Sequence, residues 1–153
     1  MVKRSPPQQE ALTTFVELSR ILTGVNGLAA DLGRQYLDRL SSSTFAPSLQ
    51  QVLERFRSLG RNADPDKVKQ HILSDATLRP TICQIILLWY TSGMQDPSDP
   101  ATPFTIHYGT QEEYFSGLGW QLIGAHVPGL SGDTLDTGDT VLRTSQRRRA
   151  IEA

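Results

Sequence analysis

Pro80-Thr81-Ile82-Cys83-Gln84-Ile85-Ile86-Leu87-Leu88-Trp89-Tyr90-Thr91-Ser92-Gly93 is the most apolar run in the chain. Ile82, Ile85, Ile86 and Trp89 recur at helical spacing and mark one face. Leu78, Cys83, Leu87, Leu88 and Tyr90 make the remaining sides apolar too. A helix that is hydrophobic all round is one its neighbours cover all round. The run therefore predicts a buried central helix near 78–91, capped by Asp75 or Thr77, with Pro80 in its first turn. A strand over 82–88 is the alternative, but no partner segment with two-residue alternation stands elsewhere. Ile82, Ile85, Ile86 and Trp89 are the expected core. Cys83, among apolar neighbours, reads as a buried and inert thiol.

The segments before this run are amphipathic and could cover it. Ser5-Pro6-Pro7-Gln8 has the form of a helix start. Leu12, Phe15, Val16, Ser19 and Leu22 then line one face, with Leu18 and Ile21 beside them. Thr23-Gly24 is the expected stop. A second helix is predicted from about Val25 to Leu40, with Leu28, Leu32, Tyr36 and Leu40 as a stripe and Gly33 where a neighbour could approach closely. Leu49, Val52, Leu53, Phe56 and Leu59 give the clearest helical period, closed by Gly60. Asp64-Pro65 starts a fourth helix, with Val68, His71 and Ile72 inward.

After the central run the pattern changes. Residues 94–109 read as a long loop punctuated by Pro97, Pro100 and Pro103. Loops of this length are often functional. Phe104, Ile106 and Tyr108 at its end could anchor it or face a partner. Thr110-Gln111-Glu112-Glu113 is a capping box. The helix it opens is expected to run through Tyr114, Leu118 and Leu122. Gly117, Gly119 and Gly124 within it suggest close approach of another backbone. From His126 onward the pattern dies, and Arg147-Arg148-Arg149 reads as a solvated basic cluster. The expected organisation is one helical domain over 1–126 and an extended or disordered tail over 127–153.

Composition excludes several functions. The chain has 153 residues, 15 basic and 16 acidic, for a net charge of −1. That balance gives no electrostatic case for nucleic-acid binding. One cysteine permits neither an internal disulfide nor a thiolate cage. His71, His107 and His126 lack ligand spacing, and His71 alone is no metal site. Asp96 and Asp99 could hold a cation, but a polar loop explains them. The two glycines of Leu22-Thr23-Gly24-Val25-Asn26-Gly27 follow a helix, so they are no dinucleotide fingerprint. No arrangement of Ser, His and Asp points to a triad. The apolar run is too short to span a bilayer, and no signal-peptide core follows Lys3 and Arg4.

Four features occur together in order. They are Phe15-Val16-Glu17-Leu18-Ser19-Arg20-Ile21-Leu22-Thr23-Gly24; Leu28-Ala29-Ala30-Asp31-Leu32 leading to Tyr36-Leu37 and Leu40; Ile85-Ile86-Leu87-Leu88-Trp89-Tyr90-Thr91-Ser92-Gly93; and Tyr114 to Trp120 followed by Gly124-Ala125-His126 and Pro128-Gly129. In these the chain resembles the small (gamma) subunit of bacterial membrane-associated FAD-dependent sugar and sugar-alcohol dehydrogenases. The resemblance extends over roughly Thr13 to Gly132. It departs at Ser92, which separates Thr91 from Gly93, and in having no twin-arginine signal before Ser5.

The resemblance implies an accessory subunit that is not itself an enzyme and has no cofactor of its own. The family's large subunit carries FAD, commonly with an iron–sulfur cluster, and a multihaem cytochrome c subunit often takes the electrons. The small subunit packs on the large one and serves its maturation and export. The implied location is the periplasmic face of the inner membrane, with the cytoplasm as the alternative. The expected fold is all-α, a compact bundle of about five to six helices around the 78–91 helix. Catalytic, cofactor-binding and metal sites are expected to be absent from this chain. Phe104, Tyr108, Tyr114, Trp120 and His126 are the candidate partner interface. The alternative function is a stand-alone helical ligand-binding or regulatory protein, using a pocket between the Trp89 and Trp120 helices.

Overall fold

The structure is a computed structural model that describes residues 6–95, 101 and 105–124. Five helices form a bundle: α1 (Pro6–Thr23), α2 (Ala30–Ser41), α3 (Ala46–Leu59), α4 (Pro65–Leu73) and α5 (Arg79–Thr91). Two short strands follow, β1 (Gly93–Gln95) and β2 (Ile106–Tyr108), and then α6 (Gln111–Phe115). One compact unit ends at Leu118 and a second begins at Gly119. The described part of the second is the end of a short helix, α7 (Leu118–Leu122), and the turn to Gly124, which has a positive φ of 65°.

The fold is all-α, as the apolar periodicity predicts, and α5 is its centre. Ile82, Ile85, Leu88 and Trp89 are buried among Leu12, Phe15 and Leu18 of α1, Val52 and Phe56 of α3, and Val68 and Ile72 of α4. Burying side chains of this size stabilises the bundle by about 1.5–3 kcal/mol each. Tyr36 of α2 meets Trp89 edge-on, with ring centroids 5.1 Å apart. Gly33, beside that ring, makes room for Val16 of α1. A Cβ there would stand 2.8 Å from Val16 Cγ2 and 3.5 Å from Trp89.

The local devices read from sequence act as expected at several ends. Asp64 caps α4 by accepting from the Asp66 and Lys67 amides at 2.8 and 3.3 Å. Gly24 and Gly60 end α1 and α3 with positive φ.

Four expectations need correction. Helix α5 is not covered all round. Cys83 is exposed, and Ile86, Leu87 and Tyr90 are half-buried. Arg79, Pro80, Cys83, Leu87 and Tyr90 fall within one arc of the helix, and the packed neighbours leave that arc open. The α5 N-cap is Leu78, while Asp75 turns onto the amide and hydroxyl of Thr77 at 2.9 and 2.6 Å. Helix α2 begins at Ala30 rather than Val25, although Leu28 is buried before it. The ends of the 94–109 loop are paired, Gly93 opposite Tyr108 and Gln95 opposite Ile106. Three-residue strands are too short for alternation to announce them.

Two further differences are local. The helix opened by Thr110 breaks at Ser116–Gly117 into α6 and α7. His71 is exposed rather than inward. Ser5, Asp96, Asp99, Phe104, His126, the 127–153 tail and its arginines lie outside the described residues.

Candidate interaction site

The C-terminal end of α5 is where the bundle meets the hairpin and α6. The last helical residue, Thr91, returns its hydroxyl to the Leu87 carbonyl at 2.8 Å and accepts from the Gly93 amide at 3.1 Å. Thr23 does the same at the end of α1, donating to Ser19 at 2.8 Å and accepting from Val25 at 3.2 Å. Side-chain bonds of this pattern compete with the backbone ladder and help stop a helix. The two stops adjoin, because the Tyr90 hydroxyl donates to the Thr23 carbonyl at 3.4 Å.

Ser92 then takes the left-handed conformation, with φ 54°. Glycine adopts that conformation without the Cβ penalty that Ser92 bears. Its amide still closes the last turn onto Leu88 at 2.8 Å. Its carbonyl accepts from the Gly109 amide at 3.1 Å and from Arg39 Nη1 at 2.8 Å.

Arg39 projects from the last turn of α2 and makes three long-range contacts. Besides Ser92, Nη1 reaches Glu113 Oε2 at 3.2 Å, and Nη2 donates to the His107 carbonyl at 3.0 Å. The pair is well enclosed, with side-chain exposures of 22% for Arg39 and 8% for Glu113. Glu113 sits in the first turn of α6, where the Thr110 hydroxyl accepts its amide proton at 3.2 Å. Gly109 lets the carboxylate in, since a Cβ there would overlap Glu113 Oε2.

Three buried polar atoms beside this anchor have no hydrogen-bond partner among the described residues. They are Tyr36 Oη, Trp89 Nε1 and Ser92 Oγ. Burial drives the Tyr36 hydroxyl well above the ordinary phenol range. The Glu113 carboxylate adds to that shift and the Arg39 guanidinium opposes it. The Tyr36 phenol is therefore neutral throughout the physiological range.

Of the candidate interface residues, the structure brings Tyr108 and Tyr114 together. Their rings meet edge-on at 5.6 Å, with Phe115 next at 5.9 Å from Tyr114. Tyr108 is 56% exposed and Tyr114 36%. An exposed aromatic pair shared between β2 and α6 suits recognition, because tyrosine presents a large apolar body with a polar tip. Trp120 belongs to the second compact unit. Trp89 is 1% exposed and its ring is packed by Tyr36 and Gly33. Its surface is therefore used up in the core.

Sequence reasoning missed Arg39, and it read Glu113 only as part of a capping box. Arg39 precedes the stripe residue Leu40, where a charged neighbour is ordinary. No local signal distinguishes it. Among the described residues, no group of His, Cys, Asp or Glu could hold a metal ion. Within the same residues, no helix is long and apolar enough to cross a membrane.

Residues 2–108 match the model of a family described as membrane bound FAD containing D-sorbitol dehydrogenase. The match covers more than half of the 153 residues. The chain belongs to this family, within the small-subunit group of FAD sugar dehydrogenases. The matched residues include all five bundle helices and both strands, and stop at Tyr108. The resembling features beyond Tyr108 lie outside the match. No curated protein and no solved structure matches the chain.

The family's description names FAD, and the described residues do not fit it. A dinucleotide is ordinarily held where a glycine-rich turn joins a parallel strand to a helix. Here the described strands are two three-residue antiparallel segments. Gly24 and Gly27 follow a helix and not a strand. Two clefts on the bundle, one beside Glu10 and Arg57 and one beside Leu37 and Leu49, have volumes of ≈ 240 and ≈ 280 Å³.

Proposed function

We propose that the chain is a non-catalytic accessory subunit of a sugar or sugar-alcohol dehydrogenase complex. It binds the FAD-containing large subunit and helps mature, stabilise or export it. The family match over residues 2–108 carries this reading. The poor fit of the described residues to a dinucleotide supports placing the flavin in the partner. The resemblance adds an iron–sulfur cluster in that partner, a multihaem cytochrome c subunit as a further neighbour, and the periplasmic face of the inner membrane as the site of assembly.

Docking is assigned to the aromatic stretch that begins beyond β1. Tyr108 and Tyr114 supply its exposed pair, and Phe104, Trp120 and His126 belong to the same length of chain. Aromatic side chains of this kind dominate the binding energy of interfaces.

Coexpression of the large subunit with and without this chain tests the proposal. The large subunit made alone should carry less FAD and show less sugar-dependent dye reduction. Equal flavin content and equal activity in the two preparations would overturn it.

A further inference from the structure

We propose that the hairpin and α6 form a separable arm, latched onto the helical bundle by the Arg39 guanidinium. The proposal concerns this chain alone and does not rest on the dehydrogenase reading. Arg39 stands on α2, and its acceptors lie on three successive pieces of the other region. They are the Ser92 carbonyl where the arm begins, the His107 carbonyl on β2, and the Glu113 carboxylate on α6. One side chain thus ties the start, middle and end of the arm to the bundle.

The arm adds few apolar side chains to the core, Met94 of β1 among them and half-buried. Strand β2 carries exposed His107 and Tyr108 with half-buried Ile106. In α6 the buried residue is Glu113, a charge, and not an apolar side chain. A region with few buried apolar contacts opens at lower free energy than the core it rests on. Without Arg39 the Glu113 carboxylate would be enclosed and unpaired, which favours its release to water.

The other attachments are Met94 of β1, half-buried against the core, and a close fit at Gly117. Within the arm, Gly93 lies against Ile106, and a Cβ on it would stand 2.4 Å from Ile106 Cγ2. Gly117 lies against the end of α5, where a Cβ would stand 2.7 Å from the Tyr90 carbonyl oxygen. Gln84 of α5 accepts from the Gln95 amide at 2.9 Å and holds only β1. The latch therefore decides whether the Tyr108–Tyr114 pair is held in one geometry.

Amide hydrogen exchange of the full chain, followed by mass spectrometry at several low urea concentrations, tests this. In the unaltered protein, the amides of Gly109, Glu113, Tyr114 and Ser116 should be protected. Their protection should be weaker, and less urea-dependent, than that of Ile85 and Leu88. In Arg39→Ala the arm amides should exchange at least tenfold faster while the bundle still unfolds cooperatively. Arg39→Lys keeps the charge but loses the planar fork, so it should give an intermediate acceleration confined to the arm. It also serves if Arg39→Ala does not fold. A shared protection level and urea slope for arm and bundle would overturn the proposal. So would arm amides unprotected in the unaltered protein, or unmoved by both substitutions.

Discussion

Trp89 lies in the last turn of α5 and Ser92 just beyond its end, yet they belong to two differently built regions. Trp89 faces a core closed by apolar side chains from the other bundle helices. Ser92 opens an arm held by a guanidinium, backbone carbonyls and glycine contacts. Apolar burial is non-directional and tolerates small shifts, so the bundle's stability is spread over many residues. Charged hydrogen bonds are directional, and a partner lost from one leaves a buried group unsatisfied. The bundle is therefore expected to fail globally and the arm to fail locally, at identifiable atoms.

Substitutions in the two regions can break or sharpen this contrast. Trp89→Ala empties the centre of the bundle and should lower the unfolding free energy by about 3–5 kcal/mol. Urea denaturation followed by far-UV circular dichroism would read the loss as a shift of the whole transition. If stability held while partner binding vanished, Trp89 would be an interface residue and not core.

Arg39→Ala should cost about 1–3 kcal/mol, because the Glu113 carboxylate loses its charged partner. Release of the arm limits how much of this loss reaches the global transition. An effect as large as that of Trp89→Ala would join the arm to the bundle in one cooperative unit.

Gly117→Ala drives a Cβ towards the Tyr90 carbonyl, and overpacking of this sort costs about 1–3 kcal/mol. The neighbour is backbone, so it yields less readily than a side chain would. Exchange measurements should find the loosening in α6 and the end of α5, with α3 protected.

The smallest expected effect is a gain. Ser92→Gly removes the left-handed strain and a buried hydroxyl without a partner among the described residues. Stability should rise by about 1 kcal/mol, seen as a higher urea midpoint. A fall would mean that the Ser92 hydroxyl has a bond the described residues do not supply.

The sequence already contained the bundle. Helix stops at Gly24 and Gly60, the Asp64-Pro65 start and the face of Leu49, Val52, Leu53 and Phe56 are visible because helical bonds and caps join residues within about one turn. Periodicity over such short separations also marked Ile82, Ile85 and Trp89 as core. Tyr108 and Tyr114 were legible as candidates for recognition by residue type and by their place after a long loop.

Only the tertiary structure decided the rest. The open arc of α5 at Cys83 depends on which sides α1, α3 and α4 occupy, and no local pattern records that. Strands β1 and β2 became strands by finding each other across the loop. Arg39 acquired its role from acceptors 53, 74 and 68 residues away in sequence. Local periodicity carries information about a residue's own helix, whereas these contacts depend on how separate elements pack. The run Pro80–Gly93 thus set the centre of the fold by composition, while packing set which of its sides is exposed and what its last carbonyl holds.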